Sequence, residues 1–508
     1  MRLLHRKAIL EYMNIETQPK TLQDIIGHAK EYGFVFPSSE IYDGLQAVYD
    51  YGQNGVELKN NLKAAWWKAM TQLNDNIVGI DSSIFMHSTT WEASGHVDGF
   101  NDPMIDNKDS KKRYRADQLL EGKAEEYALS GDKEKSDALL QEMGHLLGKE
   151  DLEAVRELII SENIKCPVSG TTNWTEVRQF NLMFSTQVGS VAEDSSTIYL
   201  RPETAQGIFV NFLNVQKTGR MKIPFGIAQI GKAFRNEIVA RQFIFRMREF
   251  EQMEMQYFVR PGSQKEWYEK WRDTRLKFHK AIGLPADKLN FHVHEKLAHY
   301  ADAAVDIEYQ FPFGFREIEG IHSRTDFDLR RHQEFSKKKM QYFDPEVNPE
   351  TGKPFGNYIP YVVETSVGAD RLFLAAFSEA FTKETITDGD KTKERTYLKL
   401  HPALAPIKAA ILPLVKKDGL AEIAQEIAGS LKSSFRTVYD DSAAIGKRYT
   451  RQDLIGTPFC IAVDFETKED NCVTIRHRDS TEQERVPISE LKERISKAVA
   501  IERILEEI

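Results

Sequence analysis

The chain has 508 residues, 41% hydrophobic and 29% charged, an ordinary soluble globular balance that is too long for one core, so two or three domains are expected. Its net charge of −9 excludes gross basicity as a means of holding nucleic acid and leaves only local patches. Three sparse cysteines, Cys166, Cys460 and Cys472, predict a reducing, cytoplasmic setting without disulfides. The absence of any 18-residue apolar run or signal-peptide pattern predicts neither a membrane span nor secretion.

Residues 1–20 read as a loose extension, with Met13 as an alternative start. Helical spacing runs from Leu22 to Tyr32, and Gly33 supplies a stop. Val56 to Leu73 is a long amphipathic helix carrying Trp66 and Trp67, followed by a strand-like stretch, IVGIDSSIFM. Paired tryptophans there pack either into the core or against a partner subunit. From Asp106 to Glu162 the sequence turns charged and helical, an insertion on the outside of the main domain. Phe180 to Val210 is core-like again, with a strand at Tyr199–Thr204 that puts Arg201 and Glu203 on one face.

The most informative stretch is Gly231 to Phe258. Arg235 and Glu237 are two apart and share a strand face; Ile238 to Gln242 reads as a polar turn. In the return half, Arg246, Arg248, Gln252, Glu254 and Gln256 fall on one face, interrupted only by Phe250. Met247, Met253, Met255 and Tyr257 fall on the other. Charged groups withdrawn from water need partners. Arginine forks suit phosphate oxygens, and nearby carboxylates suit an ammonium group. The hairpin therefore reads as a site for an anion lying beside a cation, against the plainer alternative of a solvated charge ladder.

Further on, Gly262 to Ile282 is helical, and Phe311–Leu329 and Asn357–Phe381 are core-like. Tyr361 to Arg371 is a strand running into a helix, with Glu364 and Ser366 on one face, Gly368 at the turn and Arg371 in the first helical turn, where anions are favoured. Thr382 to Arg395 is polar and reads as a mobile loop. His401 to Ile508 reads as a separate α/β unit whose one basic patch, Lys447, Arg448 and Arg451, lies in an apparent turn. No P-loop, GxGxxG, HExxH, nucleophile elbow or internal repeat is present, so any nucleotide would lie on an antiparallel sheet lined with arginines.

These segments resemble the three signature motifs of class II aminoacyl-tRNA synthetases: the helix and strand around Val56–Met86, the FRNE hairpin, and the GADR helix start. WEASGH, YLRPETAQGIFVNF, GKAFRNE, REFEQMEMQYF and HPALAPIKAAILPL resemble, more closely, the homodimeric glycyl-tRNA synthetases. The resemblance implies an α+β fold with an antiparallel catalytic sheet flanked by helices, a charged helical insertion and a C-terminal α/β anticodon-binding domain. It divides the chain into an extension (1–20), a catalytic domain (21–400, with insertions at about 92–170 and 260–305) and an anticodon-binding domain (401–508). It implies glycine activation with ATP and Mg²⁺, transfer to tRNA(Gly), a cytoplasmic homodimer and no membrane.

Carried over residue by residue, Arg235 holds the α-phosphate of ATP, Arg371 the γ-phosphate and Glu237 the adenine side, with Phe250 stacking on the ring; these two arginines and Glu237 form the catalytic set. Asn236, Phe245, Arg246, Arg248, Glu317, Ile318, Arg324, Gly368, Ala369 and Asp370 complete the implied ATP site, with Glu317 and Glu364 as candidates for Mg²⁺. Glycine is implied to meet Arg115, Glu203, Phe250, Glu251, Gln252, Met253, Glu254, Glu364, Thr365, Ser366 and Gly368. Related enzymes carry Cys-x-x-Cys pairs in the insertion; here the two places read Asn107–Ser110 and Cys166–Ser169. One thiolate cannot make a structural zinc site, so none is expected. The rival readings are a catalytically silent relative and a ligase for another small amino acid or another carrier; retention of Arg235 and Arg371 and the wording around Glu203 and Glu254 argue against them.

Overall fold

The computed structural model describes residues 14–189, 196–238, 242–294, 297, 300–388 and 391–508. Two compact units form, one from Met1–Ser83, Glu203–Ala233 and Gln242–Ile508, the other from Ile84–Pro202 and Phe234–Arg241. Among the described residues no helix is long and apolar enough to cross a membrane.

The larger unit is built on a seven-stranded sheet. In chain order its elements are helix α1 (Gly55–Thr71), β1 (Ile77–Gly79), α2 (Ala205–Thr218), β2 (Phe225–Phe234), β3 (Glu249–Val259), α3 (Gln264–Ala281), β4 (Leu289–Val293), β5 (Ala303–Phe311), β6 (Gly314–Thr325), β7 (Tyr361–Gly368) and α4 (Ala369–Ala380). The strand order is β4-β5-β6-β7-β3-β2-β1. The run from β4 through β7 to β3 is antiparallel, and β1 pairs parallel to β2. One face of this sheet carries the core: Met253, Met255, Tyr257, Val363 and Val367 are buried with Trp66 of α1, Trp271 and Phe278 of α3, and Leu372, Phe373 and Phe377 of α4. That is the oily face the alternation predicts. Trp66 is wholly buried there, whereas Trp67 lies over Gly79, where a Cβ would stand 2.2 Å from its ring.

Several expectations are corrected. The described part of the extension is packed on the larger unit: Asn14–Thr17 pairs with Thr387–Glu384, and Lys20 Nζ donates to the carbonyls of Ser378, Glu379 and Phe381 at the end of α4. Thr382–Arg395 is no loop but a hairpin, Phe381–Asp388 with Lys391–Leu398; its half-exposed strands read as polar because little of either face is buried. The supposed second insertion at 260–305 contains α3 and β4, which are integral to the core and sheet edge. The strand at Tyr199–Thr204 ends at Tyr199, leaving Arg201 and Glu203 off it. The turn at Ile238–Gln242 falls largely outside the described residues.

The C-terminal part contains a five-stranded sheet in the order Thr437–Tyr439, Ala409–Pro413, Phe459–Val463, Cys472–His477, Gln483–Pro487, its first three strands parallel. The basic "turn" is a helix, Ile445–Ile455. Its buried face is polar, with Arg448, Gln452 and Asp453 inside, and that hides the helical period from any hydrophobicity reading. In the smaller unit the helices Ala116–Leu129, Lys133–Gly148 and Leu152–Ser161 pack around a core of Leu120, Leu139, Val155, Ile159 and Trp174.

Candidate active site

The polar face of the large sheet holds the site, and strand register assembles it. Glu254 on β3 lies opposite Ser366 on β7, which lies opposite Gly320 on β6. In the next row Gln256, Glu364 and His322 stand side by side. Glu254 is 2% exposed and Gln256 and Glu364 are buried beside it. Thr204, in the turn before α2, donates from Oγ1 to Glu254 Oε2 at 2.5 Å. Its backbone N–H donates to Gln252 Oε1, whose Nε2 reaches Ser366 Oγ at 3.4 Å. Glu203 accepts from Gln206 Nε2 at 3.2 Å.

One guanidinium serves this carboxylate group. Arg324 donates from Nε and Nη2 to Asp328 at 2.9 and 3.1 Å and from Nη1 to Glu364 Oε2 at 3.0 Å, with the Tyr300 ring 4.1 Å away. His322 Nδ1 lies 3.1 Å from Glu364 Oε1. Burial alone would raise the Glu364 pKa, but Arg324 and then His322 hold it well below the carboxylate range. Glu254 goes the other way: burial, then the charges of Glu364 and Glu203, push its pKa well up. The pKa values of two adjacent carboxylates are thus driven in opposite directions, Glu364 down and Glu254 up.

Toward the other end of the sheet, Arg371 in the first turn of α4 stacks on Phe245 at 4.4 Å and pairs with Glu317 Oε2 at 2.9 Å. Glu317 reaches this face because Ile318 is an extra residue in the β5–β6 pairing: Glu308 faces Glu317 while Ile307 faces Glu319. The bulge turns Glu317 outward and Glu319 into the core, where Arg275 and His279 hold it at 2.6 and 2.7 Å. In the smaller unit, Arg235 donates from Nε to Pro202 O at 3.0 Å and lies over the Phe100 ring, and Asn236 N–H bonds Leu182 O. Arg115 pairs with Asp102 and Asp117 at 3.0 and 2.5 Å. Burial opposes its charge, yet those carboxylates and Glu237 raise its pKa.

Several residues of the implied contacts have protein partners or core positions of their own. Met253 and Thr365 lie on the core face, register partners of Val367 and Met255. Glu251 binds Lys59 and Lys63, both at 2.9 Å. Asp370 accepts from Tyr51 OH, Lys59 Nζ and Glu251 N–H at 2.5, 2.6 and 2.8 Å, so it anchors α4 to α1. Ile318 and Ala369 are core. Arg324 donates to Glu364 and Asp328. Arg248 N–H and Nη1 bond the carbonyls of Ala47 and Gln46. Phe250 is half-buried against the core, and Arg246 and Gly368 are half-buried. Gln256, Thr204, His322 and Asp328 join the site without having been assigned to it; Gln256 shares the parity of Glu254 on one strand, the signal that could have found it.

The residues test two metals differently. For Mg²⁺, Glu364 does not fit, since His322, Gln256 and Arg324 engage both its oxygens; Glu317, its side chain 47% exposed, does. For zinc, the insertion offers hydroxyls and an amide. Ser110 Oγ lies 3.2 Å from Cys166 Sγ, and Ser169 Oγ donates to Asn107 Oδ1 at 2.9 Å. One thiol with these neutral oxygens is not a tetrahedral zinc donor set.

Comparison with known proteins agrees with this geometry. Residues 185–380 match the tRNA synthetase class II core domain (G, H, P, S and T), 102–138 and 128–182 match glycyl-tRNA synthetase insertion domain 1, and 408–498 match an anticodon binding domain. The chain is 54% identical to the glycine–tRNA ligase of Chlorobaculum tepidum, over 93% of this chain and 98% of that protein. It is 51% identical to the one of Treponema denticola, over 95% and 98%. Among solved structures it is similar in fold to prolyl-tRNA synthetase from Cryptosporidium parvum, with TM-score 0.57 at 14% identity, covering 95% of this chain and 77% of that one. The chain belongs to the glycine–tRNA ligase family of class II aminoacyl-tRNA synthetases.

Proposed function

We propose that the chain activates glycine with ATP and transfers it to the 3′ end of tRNA(Gly). The observation that carries the reading is the pair of buried carboxylates, Glu254 and Glu364, with half-buried Glu203 beside them and the Arg324 guanidinium bonded to Glu364. A glycine ammonium is bound by Glu254, Glu203 and Ser366, with Glu364 supplying fixed negative charge behind them. One glycine carboxylate oxygen attacks the α-phosphorus, the bond to the bridging oxygen breaks, and pyrophosphate leaves. The tRNA ribose hydroxyl then attacks the glycyl carbonyl, its proton is lost, and AMP departs. No covalent enzyme intermediate is needed; positioning and charge neutralisation supply the catalysis. In this reading Arg235 neutralises the α-phosphate and Arg371 the γ-phosphate, Glu237 meets the adenine and Phe250 stacks on it. Mg²⁺ supplies further neutralisation, and Glu317 is the residue that would hold it.

Specificity follows from size. Every competing amino acid is larger than glycine, so exclusion is steric, and the weak discrimination of one missing methylene, about 1–3 kcal/mol, is not required. The anticodon domain, 401–508, receives tRNA. A homodimer belongs to this reading, and Ile41, Tyr42 and Leu45, exposed at 86%, 79% and 57%, give it apolar surface. A cytoplasmic place follows from tRNA charging. The test is ATP–pyrophosphate exchange with each of the twenty amino acids and no tRNA. Exchange with glycine alone is expected; exchange driven by serine or alanine, or none at all, overturns the reading.

A further inference from the structure

Gln256 is wholly buried on β3. Its Nε2 lies 2.7 Å from Glu254 Oε1 and 2.6 Å from Glu364 Oε2, so a single amide gives one N–H to each of two neighbouring carboxylates. The amide orientation follows from those acceptors, since the reverse would aim Oε1 at both. That leaves Oε1 buried without a hydrogen-bond partner among the described residues, an unfavourable arrangement in a low-dielectric interior. A position needing only volume would carry an apolar side chain, as Met253 and Met255 do on the other face of the same strand. Something about the two donors offsets the orphaned oxygen.

What they offset is repulsion. Glu254 and Glu364 occupy adjacent rows of the sheet, and Glu203 adds a third charge nearby. Each outer oxygen has its own support. Thr204 holds Glu254 Oε2, His322 holds Glu364 Oε1, and Arg324 shares Glu364 Oε2. Gln256 hydrogen-bonds both glutamates. We propose that Gln256 is a positioning residue of the ammonium pocket, whose NH₂ group fixes the separation of Glu254 and Glu364 and lets Glu254 ionise against an incoming ammonium. The charged and titratable groups facing this pair are Glu203, Arg324, His322, Asp328 and Tyr300.

The inference rests on the glycine-activating reading, and wild-type exchange with glycine tests that first. Gln256→Met keeps the volume and removes both donors. It is expected to raise KM for glycine about 10- to 100-fold, the range of lost hydrogen bonds to charged groups, with KM for ATP and melting temperature near wild type. The pH at which glycine affinity sets in should move upward, because Glu254 loses a donor to its ionised form. Gln256→Glu retains one donor only when protonated, so its glycine KM should approach wild type at acid pH and worsen as pH rises. An unchanged glycine KM in Gln256→Met overturns the proposal. So does a loss shared equally by glycine KM, ATP KM and melting temperature in both variants, which marks a structural role. If wild type exchanges with glycine and Gln256→Met behaves like it, this proposal alone falls.

Discussion

Arg371 Nη1 lies 2.9 Å from Glu317 Oε2, an ion pair made at the open end of the sheet by a helix start and a β-bulge. Arg371 is also braced by the Phe245 ring and carbonyl, so its head is pre-placed rather than searching. Replacing Arg371 with alanine is expected to raise the activation barrier of adenylate formation by about 3 kcal/mol, the scale of one preorganised electrostatic donor. Single-turnover adenylation measures it. Lysine should recover little, since a point charge cannot reproduce the fork. A fall below threefold would remove Arg371 from the reacting centre.

Glu317→Gln isolates the metal carboxylate from the arginine. With the Arg371 pair weakened but its stacking intact, the Mg²⁺ concentration needed for half-maximal exchange should rise while KM for glycine stays put. The converse substitution, Glu364→Gln, should leave the Mg²⁺ requirement unchanged and damage glycine binding, because His322, Gln256 and Arg324 already engage Glu364.

Glycine affinity should depend on pH through Glu254. In the empty pocket burial, then the charges of Glu364 and Glu203, raise its pKa and so favour its protonated form. An ammonium binds the ionised form, and binding therefore releases that proton. Raising the pH makes the release easier, so KM for glycine should fall by up to about tenfold per pH unit until Glu254 is ionised without ligand, then level off. Proton uptake or release on glycine binding can be read by calorimetry in buffers of different ionisation enthalpy. Glu254→Gln should abolish both the release and most of the affinity; a pH-independent KM in wild type would contradict the assignment.

How much of this was legible depends on the element. On β3 and β7, parity alone separated Glu254, Gln256, Glu364 and Ser366 from Met253, Met255 and Thr365, because a strand half in the core must alternate. The lists carried over by resemblance did not use parity, and the side chains of two of their members, Met253 and Thr365, lie on the core face. Asp370 and Glu251 look like ligand contacts in sequence; their partner Lys59 comes from α1, more than a hundred residues away in each case, and no local pattern announces such pairing. The partners of Arg324 are hidden in the same way, since its bridge to Glu364 crosses strands. The helix Ile445–Ile455 was missed because its buried side is charged, so hydrophobic periodicity has nothing to report there.

That helix changes what the basic patch can do. Arg448 is buried and donates to the carbonyls of Pro413, Ser442 and Ala443, whereas Lys447 is exposed and Arg451, 44% exposed, pairs with Asp440. Arg448→Ala should destabilise by at least about 1–3 kcal/mol through carbonyls left unpaired in the interior, seen as a lower melting temperature. Only Lys447 and Arg451 are available to RNA. Their joint replacement by alanine should raise KM for tRNA, steepened by salt, without touching glycine-dependent exchange; an unchanged KM takes this helix out of the tRNA interface.

The insertion gives the last test. Asn107 Oδ1 accepts from the N–H groups of Asp109 and Ser110, and Ser169 N–H points at Cys166 Sγ. The two turns are cross-linked by Ser110 Oγ to Cys166 Sγ and by Ser169 Oγ to Asn107 Oδ1. Each turn thus uses its first side chain to gather its own N–H groups and its last hydroxyl to reach the other turn. These hydrogen bonds hold the two turns together through side chains of the chain itself. Purified protein should contain less than a tenth of an equivalent of zinc, and exposure to a strong chelator followed by Mg²⁺ should restore full exchange activity. Ser169→Ala removes one cross-link and should lower the stability of the insertion by about 1 kcal/mol. Stoichiometric zinc, or irreversible loss on chelation, would show that the turns hold a metal after all.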